Sequence, residues 1–332
     1  MTDIVSSDIN SYIDETNFDF SGKRVLITGA SGIIGNYIQT YLSKLPQGHR
    51  PESVSLVSKT GQFPFAPSPT CLVENIDLTH TGSVAKLDKY DSIFHAAGYG
   101  QPGKFLANEV KTIALNTWVT EALIEKTNPG GDFVFFSSSE VYAENPKIAY
   151  SETDIGQTNT DHPRAAYIEG KRLGETLTHI AAKHHQLSAI SLRIALIYGP
   201  GSKSDDERVL YTVIRQALEN RQVQLRDSGS AIRTYGYVLN ALSQIISAVV
   251  NGTSGIYNVG GNSKLTIREL AQTVCDLTDS KLIVPVSETA FLKDAPKHVE
   301  LDLTKVLELP GQIPFIGIED GLQRTIQSMR SN

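Results

Sequence analysis

Apolar positions along the chain follow two alternating rhythms. Short apolar, β-branched runs that end at glycine or polar turns read as buried strands, and stretches with apolar residues every three to four positions read as helices. The strand rhythm occurs at 24–28, 54–57, 71–75, 92–95, 133–137 and 189–196. Between these runs the helical rhythm occupies 33 to about 45, 81–89, 108–127 and 163–184. A short N-terminal helix or arm is expected over about 8–20, laid against the first strand unit. Such alternation predicts a parallel sheet covered by helices on both faces. Beyond Gly199-Pro200 the repeat stops, and helices near 206–220, 238–250 and 266–278 are separated by short segments, which predicts a smaller second lobe.

The length of 332 residues suits one large core or two coupled lobes. With a net charge of −6 there is no basic stripe of the kind that phosphate neutralisation needs, so no nucleic-acid partner is expected. Cys71 and Cys275 are the two cysteines, too few for a disulfide framework or a thiolate metal cluster. The eight histidines show no ligand spacing, and the pair His184-His185 reads as a solvated helix end, so no metal is expected. The N-terminal twenty residues are polar and acidic, and no apolar run reaches membrane-spanning length. A cytoplasmic protein without a membrane partner is the expectation.

Candidate chemistry begins at the first strand end. The segment Thr28-Gly29-Ala30-Ser31-Gly32-Ile33-Ile34-Gly35 spaces three glycines three apart, between a strand and a helix. Glycine permits the tight turn and the close backbone approach to a pyrophosphate, and the helix start then offers N–H groups to the anion. A dinucleotide site is therefore predicted at Gly29, Ser31, Gly32, Ile33, Ile34 and Gly35. The second strand ends in Ser58-Lys59, with no acidic residue for ribose hydroxyls. Ser58 and Lys59 suit a 2′-phosphate, and Lys59 equally suits a solvated loop, so NAD and NADP both stand as cofactors.

A second group lies further on. Tyr167 and Lys171 stand at i and i+4 of a helix and share a face. An ammonium beside a phenol favours phenolate, which suits proton removal from a hydroxyl whose carbon gives up hydride. The fifth strand run ends in Ser137-Ser138-Ser139-Glu140, small hydroxyls followed by a carboxylate.

Taken in order, these motifs resemble the extended short-chain dehydrogenase/reductase family, also called NAD-dependent epimerases and dehydratases. Asp77-Leu78-Thr79 after the third strand, His95-Ala96-Ala97-Gly98 after the fourth, and Ser228-Gly229-Ser230-Ala231-Ile232-Arg233 followed by Tyr237-Val238 add to the likeness, which runs from about 22 to 330. The helix around Arg164 to Arg172 and the Ser-Ser-Glu-Val-Tyr order are most similar to UDP-glucuronate decarboxylases.

The resemblance implies a Rossmann-type doubly wound α/β sheet with a smaller mixed C-terminal substrate lobe. It divides the chain into a dinucleotide domain with an N-terminal arm at 1–180 and a mainly substrate-binding lobe at 181–332, some of which returns to the first domain. It implies catalysis by Ser138, Glu140, Tyr167 and Lys171. Asp77, Leu78, Ala96, Ala97 and Gly98 would join the cofactor contacts, together with Tyr167 and Lys171. Ser139, Arg164 and Arg233 would hold a nucleotide-sugar. A transient 4-keto sugar and a homodimer built on the helices near 108–127 and 163–184 complete the expectation. Decarboxylation, 4,6-dehydration and epimerisation all stay open. The rival reading is a non-catalytic dinucleotide sensor or scaffold that kept the fold.

Three positions depart from the family pattern. Ile194-Ala195-Leu196 carries no amide, Leu239-Asn240 stands where an Asp is expected after Tyr237-Val238, and 294–300 holds Lys297 and His298 but no arginine.

Overall fold

Val25, Leu26 and Ile27 are all fully buried, as a continuous apolar run must be in a strand covered on both faces. The computed structural model describes residues 2–285 and 300–330. Its first half carries helix α1 (Thr2–Glu15), β1 (Arg24–Thr28), α2 (Ile33–Lys44), β2 (Ser53–Ser58), β3 (Cys71–Asn75), β4 (Tyr90–His95), α3 (Pro102–Leu106), α4 (Glu109–Asn116), α5 (Trp118–Ile124), β5 (Thr127–Ser138) and α6 (Ala165–His184). There follow β6 (Ser188–Ile194), β7 (Ile197–Tyr198), α7 (Val209–Asn220), β8 (Gln222–Gln224), β9 (Ile232–Tyr237), α8 (Val238–Asn251), β10 (Gly255–Val259), β11 (Ser263–Thr266), α9 (Ile267–Thr278), β12 (Lys281–Ile283), α10 (Thr304–Leu307) and α11 (Ile318–Arg330).

Seven parallel strands form the main sheet in the order β3-β2-β1-β4-β5-β6-β10. The period of two sorts their side chains between two cores. Val25, Ile27, Phe94, Val134 and Phe136 face the core shared with α1, α2 and α8. Leu26, Ile93, Phe133 and Phe135 face the one shared with α5 and α6. β6 and β10 belong to this sheet although both lie beyond residue 180. Two small sheets, β11-β9-β7 and β12-β8, carry the second lobe. The strand order reverses between β1 and β4, and ligands of open α/β sheets bind at that point, outside the carboxyl ends of the strands.

Four element boundaries differ from the pattern reading. The N-terminal helix starts and ends earlier, because Val5, Ile9 and Tyr12 are its buried stripe while Phe18 and Phe20 pack from extended chain. At 81–89 there is a single 3₁₀ turn, Val84–Lys86; Gly82 takes φ +78° and buried Val84 and Leu87 are three apart, the repeat of that tighter turn. The helix expected at 108–127 breaks at Thr117 (φ −120°, ψ −94°). There Asn116 Nδ2 and Thr117 Oγ1 donate to the carbonyls of Thr112 and Ile113, an alternative to continued helix. Strand β5 begins at Thr127, with an irregular register before Asp132.

Helix α1 is tied in by one buried carboxylate. Asp8 accepts from Tyr37 Oη of α2 at 3.1 Å, from Tyr237 Oη of β9 at 2.6 Å and from Arg324 of α11. The arm thus links the first helix of the sheet to the second lobe.

Candidate active site

The loop after β1 must pass against the loop after β4. Gly29 has φ +66°, and a Cβ there would lie 2.5 Å from the Ala96 carbonyl carbon, so no larger residue fits. A Cβ on Gly35 would lie 2.8 Å from Ala30 Cα, which fixes how closely α2 packs on its own entry turn. No side chain caps α2, leaving the amides at Ile33 and Ile34 without a side-chain acceptor. A closed backbone turn facing uncapped helix amides is the donor set that a diphosphate requires. The residues present fit a dinucleotide.

His95 holds the two loops together. Its Nε2 lies 2.9 Å from the Leu115 carbonyl and must carry the proton, so Nδ1 accepts from Thr28 Oγ1 at 2.8 Å. Thr28 Oγ1 in turn accepts from the Ala97 amide at 3.3 Å. Burial drives His95 down to about 4, so the ring is neutral and this tautomer persists. Gly98 follows, and a Cβ there would sit 3.7 Å from Lys171 Nζ, which brings the expected cofactor loop and helix α6 together.

At the other end of the loop, Ser58 Oγ donates to Ser31 Oγ at 3.0 Å. Lys59 pairs with Asp77 at 3.0 Å, and Thr79 adds two hydrogen bonds to the same carboxylate. Burial raises the Asp77 carboxyl, but the bonds from Thr79 and Lys59 outweigh it and hold the group at about 2. Lys59 is thus partnered rather than simply solvated. Leu78 is buried in the core.

Ser138 ends β5, and its Oγ accepts the Glu140 amide at 3.2 Å, opening the turn Ser139–Tyr142. Tyr167, Lys171 and Glu175 line one face of α6 against this strand end. Burial pushes the Tyr167 phenol up to about 12; Ser138, Arg208 and Arg164 act to lower it and Glu140 to raise it. Phe105 of α3 stacks flat on its ring, with centroids 4.4 Å apart and planes 13° from parallel. Lys171 Nζ donates to the Phe136 carbonyl at 2.6 Å and lies 5.7 Å from the Tyr167 ring centroid. Desolvation thus dominates Tyr167 in the free protein, and Ser138 and the guanidinium groups oppose it.

Glu140 is chelated by Arg164, whose Nη1 donates to both carboxylate oxygens at 2.6 and 2.8 Å. Arg233 on β9 donates to its own neighbour Ile232 O at 2.7 Å. Burial lowers the Arg233 pKa and Arg164 acts in the same sense, while Tyr235 and Glu140 oppose it.

Three participants carry no signal in the sequence pattern. Arg208 is brought to Tyr167 from the loop before α7, held by Asp206. Phe105 comes from α3, the short helix after β4. Behind Ser137, the buried pair Glu175–Arg193 is joined at 2.9 and 2.8 Å, and Ser137 Oγ donates to the same Glu175. Glu175 alone was detectable, four residues beyond Lys171 on the same helical face.

The departures resolve unevenly. Asn240 is a structural residue that donates to Pro314 O and accepts from the Ile316 amide. Lys297 and His298 lie outside the described residues. His184 and His185 are exposed, and no metal-holding group occurs among the described residues. No helix among them is long and apolar enough to cross a membrane.

Lys171 makes a pH prediction. Burial pushes its pKa down to about 7, from an ordinary 10.5, with Glu175 opposing. Between those values the unfolded chain binds the extra proton, so stability of the free protein rises with pH, by up to about 1.4 kcal/mol per unit. Denaturation midpoints at pH 7, 8 and 9 should climb in the wild type and flatten in Lys171→Met. Parallel curves would refute the assignment.

A doubly wound parallel sheet with a glycine cradle at its switch point, and a Ser-Tyr-Lys group beside that cradle, define the architecture of the extended short-chain dehydrogenases/reductases. The model of the NAD dependent epimerase/dehydratase family matches residues 25–260, and the chain belongs to that family. UDP-glucuronic acid decarboxylase 1 of Danio rerio is 30% identical over 92% of this chain and 72% of its own length. UDP-glucuronic acid decarboxylase 5 of Arabidopsis thaliana is 28% identical over 94% and 91%. Among solved structures, an epimerase from Methanothermobacter thermautotrophicus superposes with a TM-score of 0.80 at 18% identity, covering 100% of this chain and 96% of that one. The dTDP-glucose 4,6-dehydratase DesIV of Streptomyces venezuelae does so at 0.76 and 22%, over 93% and 97%. At these identities the two structures speak for the fold.

Proposed function

We propose that the protein uses NAD or NADP to oxidise C4 of a nucleoside-diphosphate sugar, and that the sugar is a hexuronate which then loses its carboxyl group. One observation carries the reading: Arg164 and Arg208 both act on the Tyr167 phenol, and Arg164 chelates Glu140, on which Arg233 also acts. Of these guanidinium groups Arg164 and Arg208 are paired with Glu140 and Asp206, and Arg233 is the one that suits an anionic diphosphate. The curated relatives named as UDP-glucuronic acid decarboxylases, alignable over more than nine-tenths of the chain, support the same substrate class.

The glycine loop from Gly29 to Gly35 would seat the dinucleotide diphosphate, with Ala96, Ala97 and Gly98 along its other side. When bound, the cofactor supplies a hydride acceptor that later returns the hydride. Ser138 orients the O4 hydroxyl and Tyr167 takes its proton, while Arg208 and Arg164 stabilise the phenolate. A 4-ketone makes the uronate a β-keto acid. Its C5–C6 electron pair moves toward the ketone oxygen as carbon dioxide leaves, and Ser138 and Tyr167 hydrogen-bond the resulting enolate. Glu140, fixed by Arg164, would lie on the C5 side and steer the ring while the enolate takes a proton from water at C5, and Tyr167 gives its proton back to O4 when the hydride returns to C4. Arg233 and Ser139 hold the nucleotide-sugar, and Lys171 serves the cofactor ribose and the phenol.

Mass-resolved chromatography of the protein with UDP-, GDP-, CDP- and dTDP-sugars, each with NAD or NADP, tests this. Loss of carbon dioxide from a hexuronate supports the whole reading. Loss of water, or a new retention time at constant mass, overturns the decarboxylation and keeps C4 oxidation. Bound dinucleotide with no sugar converted would make the chain a sensor.

Two copies would pair through the outer face of α4, α5 and α6. Val110 is 74% exposed there, and Trp118, Leu173 and Ile180 lie open along the same helices. Light scattering is expected to show a dimer, and Val110→Asp combined with Leu173→Asp a monomer; a monomeric wild type would remove the proposal. Unpaired Cys71 and Cys275 suit a reducing compartment such as the cytoplasm.

A further inference from the structure

We propose that Lys203, reaching over the glycine loop from the segment that follows β7, is a phosphate ligand of the bound dinucleotide. The inference rests on the dinucleotide reading above. Lys203 Nζ donates to Ser31 Oγ at 3.1 Å, and that same hydroxyl accepts from Ser58 Oγ. An ammonium therefore stands at the entry turn of α2, against neutral hydroxyls. Among the described residues it forms no ion pair, because the nearby Asp205 is taken by Lys104 at 2.8 Å.

The segment that delivers it is held from several sides. Ser202 Oγ donates to Asp206 at 2.9 Å, Asp206 binds Arg208, and the Glu207 amide donates to Gln101 Oε1 at 3.3 Å. Gly201, at φ +94°, passes so close to the Phe65 ring that a Cβ would lie 2.5 Å from it. Lys203 is thus presented from an anchored strap. Burial lowers its pKa, with Lys104 adding to the effect and Asp205 opposing it. A half-buried cation kept from carboxylates gains most from an arriving anion. The second strand makes no competing demand, since it ends in Ser58 where a carboxylate would repel phosphate.

Two phosphates of a dinucleotide can meet Lys203: the diphosphate common to NAD and NADP, or the 2′-phosphate that NADP alone carries. Calorimetric titration of NAD and of NADP into dinucleotide-free protein separates them, using the wild type, Lys203→Gln and Lys203→Arg. Lys203→Gln should bind roughly tenfold or more weakly, as expected for loss of a charge-assisted hydrogen bond. Lys203→Arg should recover most of the affinity. An equal loss for both nucleotides identifies the diphosphate, and a loss confined to NADP identifies the 2′-phosphate. Unchanged affinity of Lys203→Gln for both overturns the proposal, as does a loss that arginine does not restore. A wild type that binds neither nucleotide overturns the dinucleotide reading itself.

Discussion

Tyr167→Phe is expected to lower turnover by about 10²–10⁴-fold, the usual contribution of a positioned acid–base group, while dinucleotide affinity stays within about twofold of the wild type, a change of under ~0.5 kcal/mol. The substitution is unusually clean. The ring stacks on Phe105, and phenylalanine keeps that contact. Lys171 donates to the Phe136 carbonyl rather than to the phenol, so its anchor survives. What disappears is the oxygen between Ser138 and the arginines. Product formation measured by chromatography, beside calorimetric dinucleotide binding, separates the two quantities. Retained turnover would remove Tyr167 from the mechanism, and lost binding would make its role structural.

The second large effect is on stability. Arg193→Ala should cost about 3–5 kcal/mol, the range for breaking a buried ion pair from one side. Both side chains are under one-tenth exposed. Arg193 also donates to the carbonyls of Glu152 and Asp154 and lies 4.7 Å from the Tyr142 ring centroid. Truncation would leave Glu175 as a buried anion with Ser137 as its remaining hydrogen-bond donor in the network. Replacing both partners, as Arg193→Met with Glu175→Leu, should recover part of the loss, because no uncompensated charge then remains. Urea unfolding of the two variants and the wild type measures this. A single-variant loss below about 1 kcal/mol would show that the pair does not hold the strand end together.

That pair also shows where reading the chain in one dimension reaches its limit. Ser137, Glu175 and Arg193 come from a strand, a helix and the next strand. Each has a local reading as strand end, helical polar residue or polar strand position. Their joint function exists because β5 and β6 pair with Ser137 opposite Arg193. The same holds for Arg208 and Phe105, which reach Tyr167 from the start of α7 and from the short helix α3, where the local sequence follows no long period. The break in the helix at Thr117 is invisible to the sequence pattern for a different reason. Its apolar stripe continues across the break, and only the side-chain bonds to the preceding carbonyls interrupt it.

Sequence alone determined the first six strands and the motifs, because both depend on short-range chemistry. A period of two or of 3.6 reports which face is buried, glycine reports where the backbone must turn or be approached, and i, i+4 spacing puts Tyr167 and Lys171 on one face. Tertiary structure alone decided the charge states and the partners. The neutral tautomer of His95, the raised phenol of Tyr167, the chelation of Glu140 by Arg164 and the reach of Lys203 to Ser31 depend on desolvation and on distances between residues far apart in the chain. Burial and Coulomb energy vary with position in space, and residue order along the chain does not encode them locally.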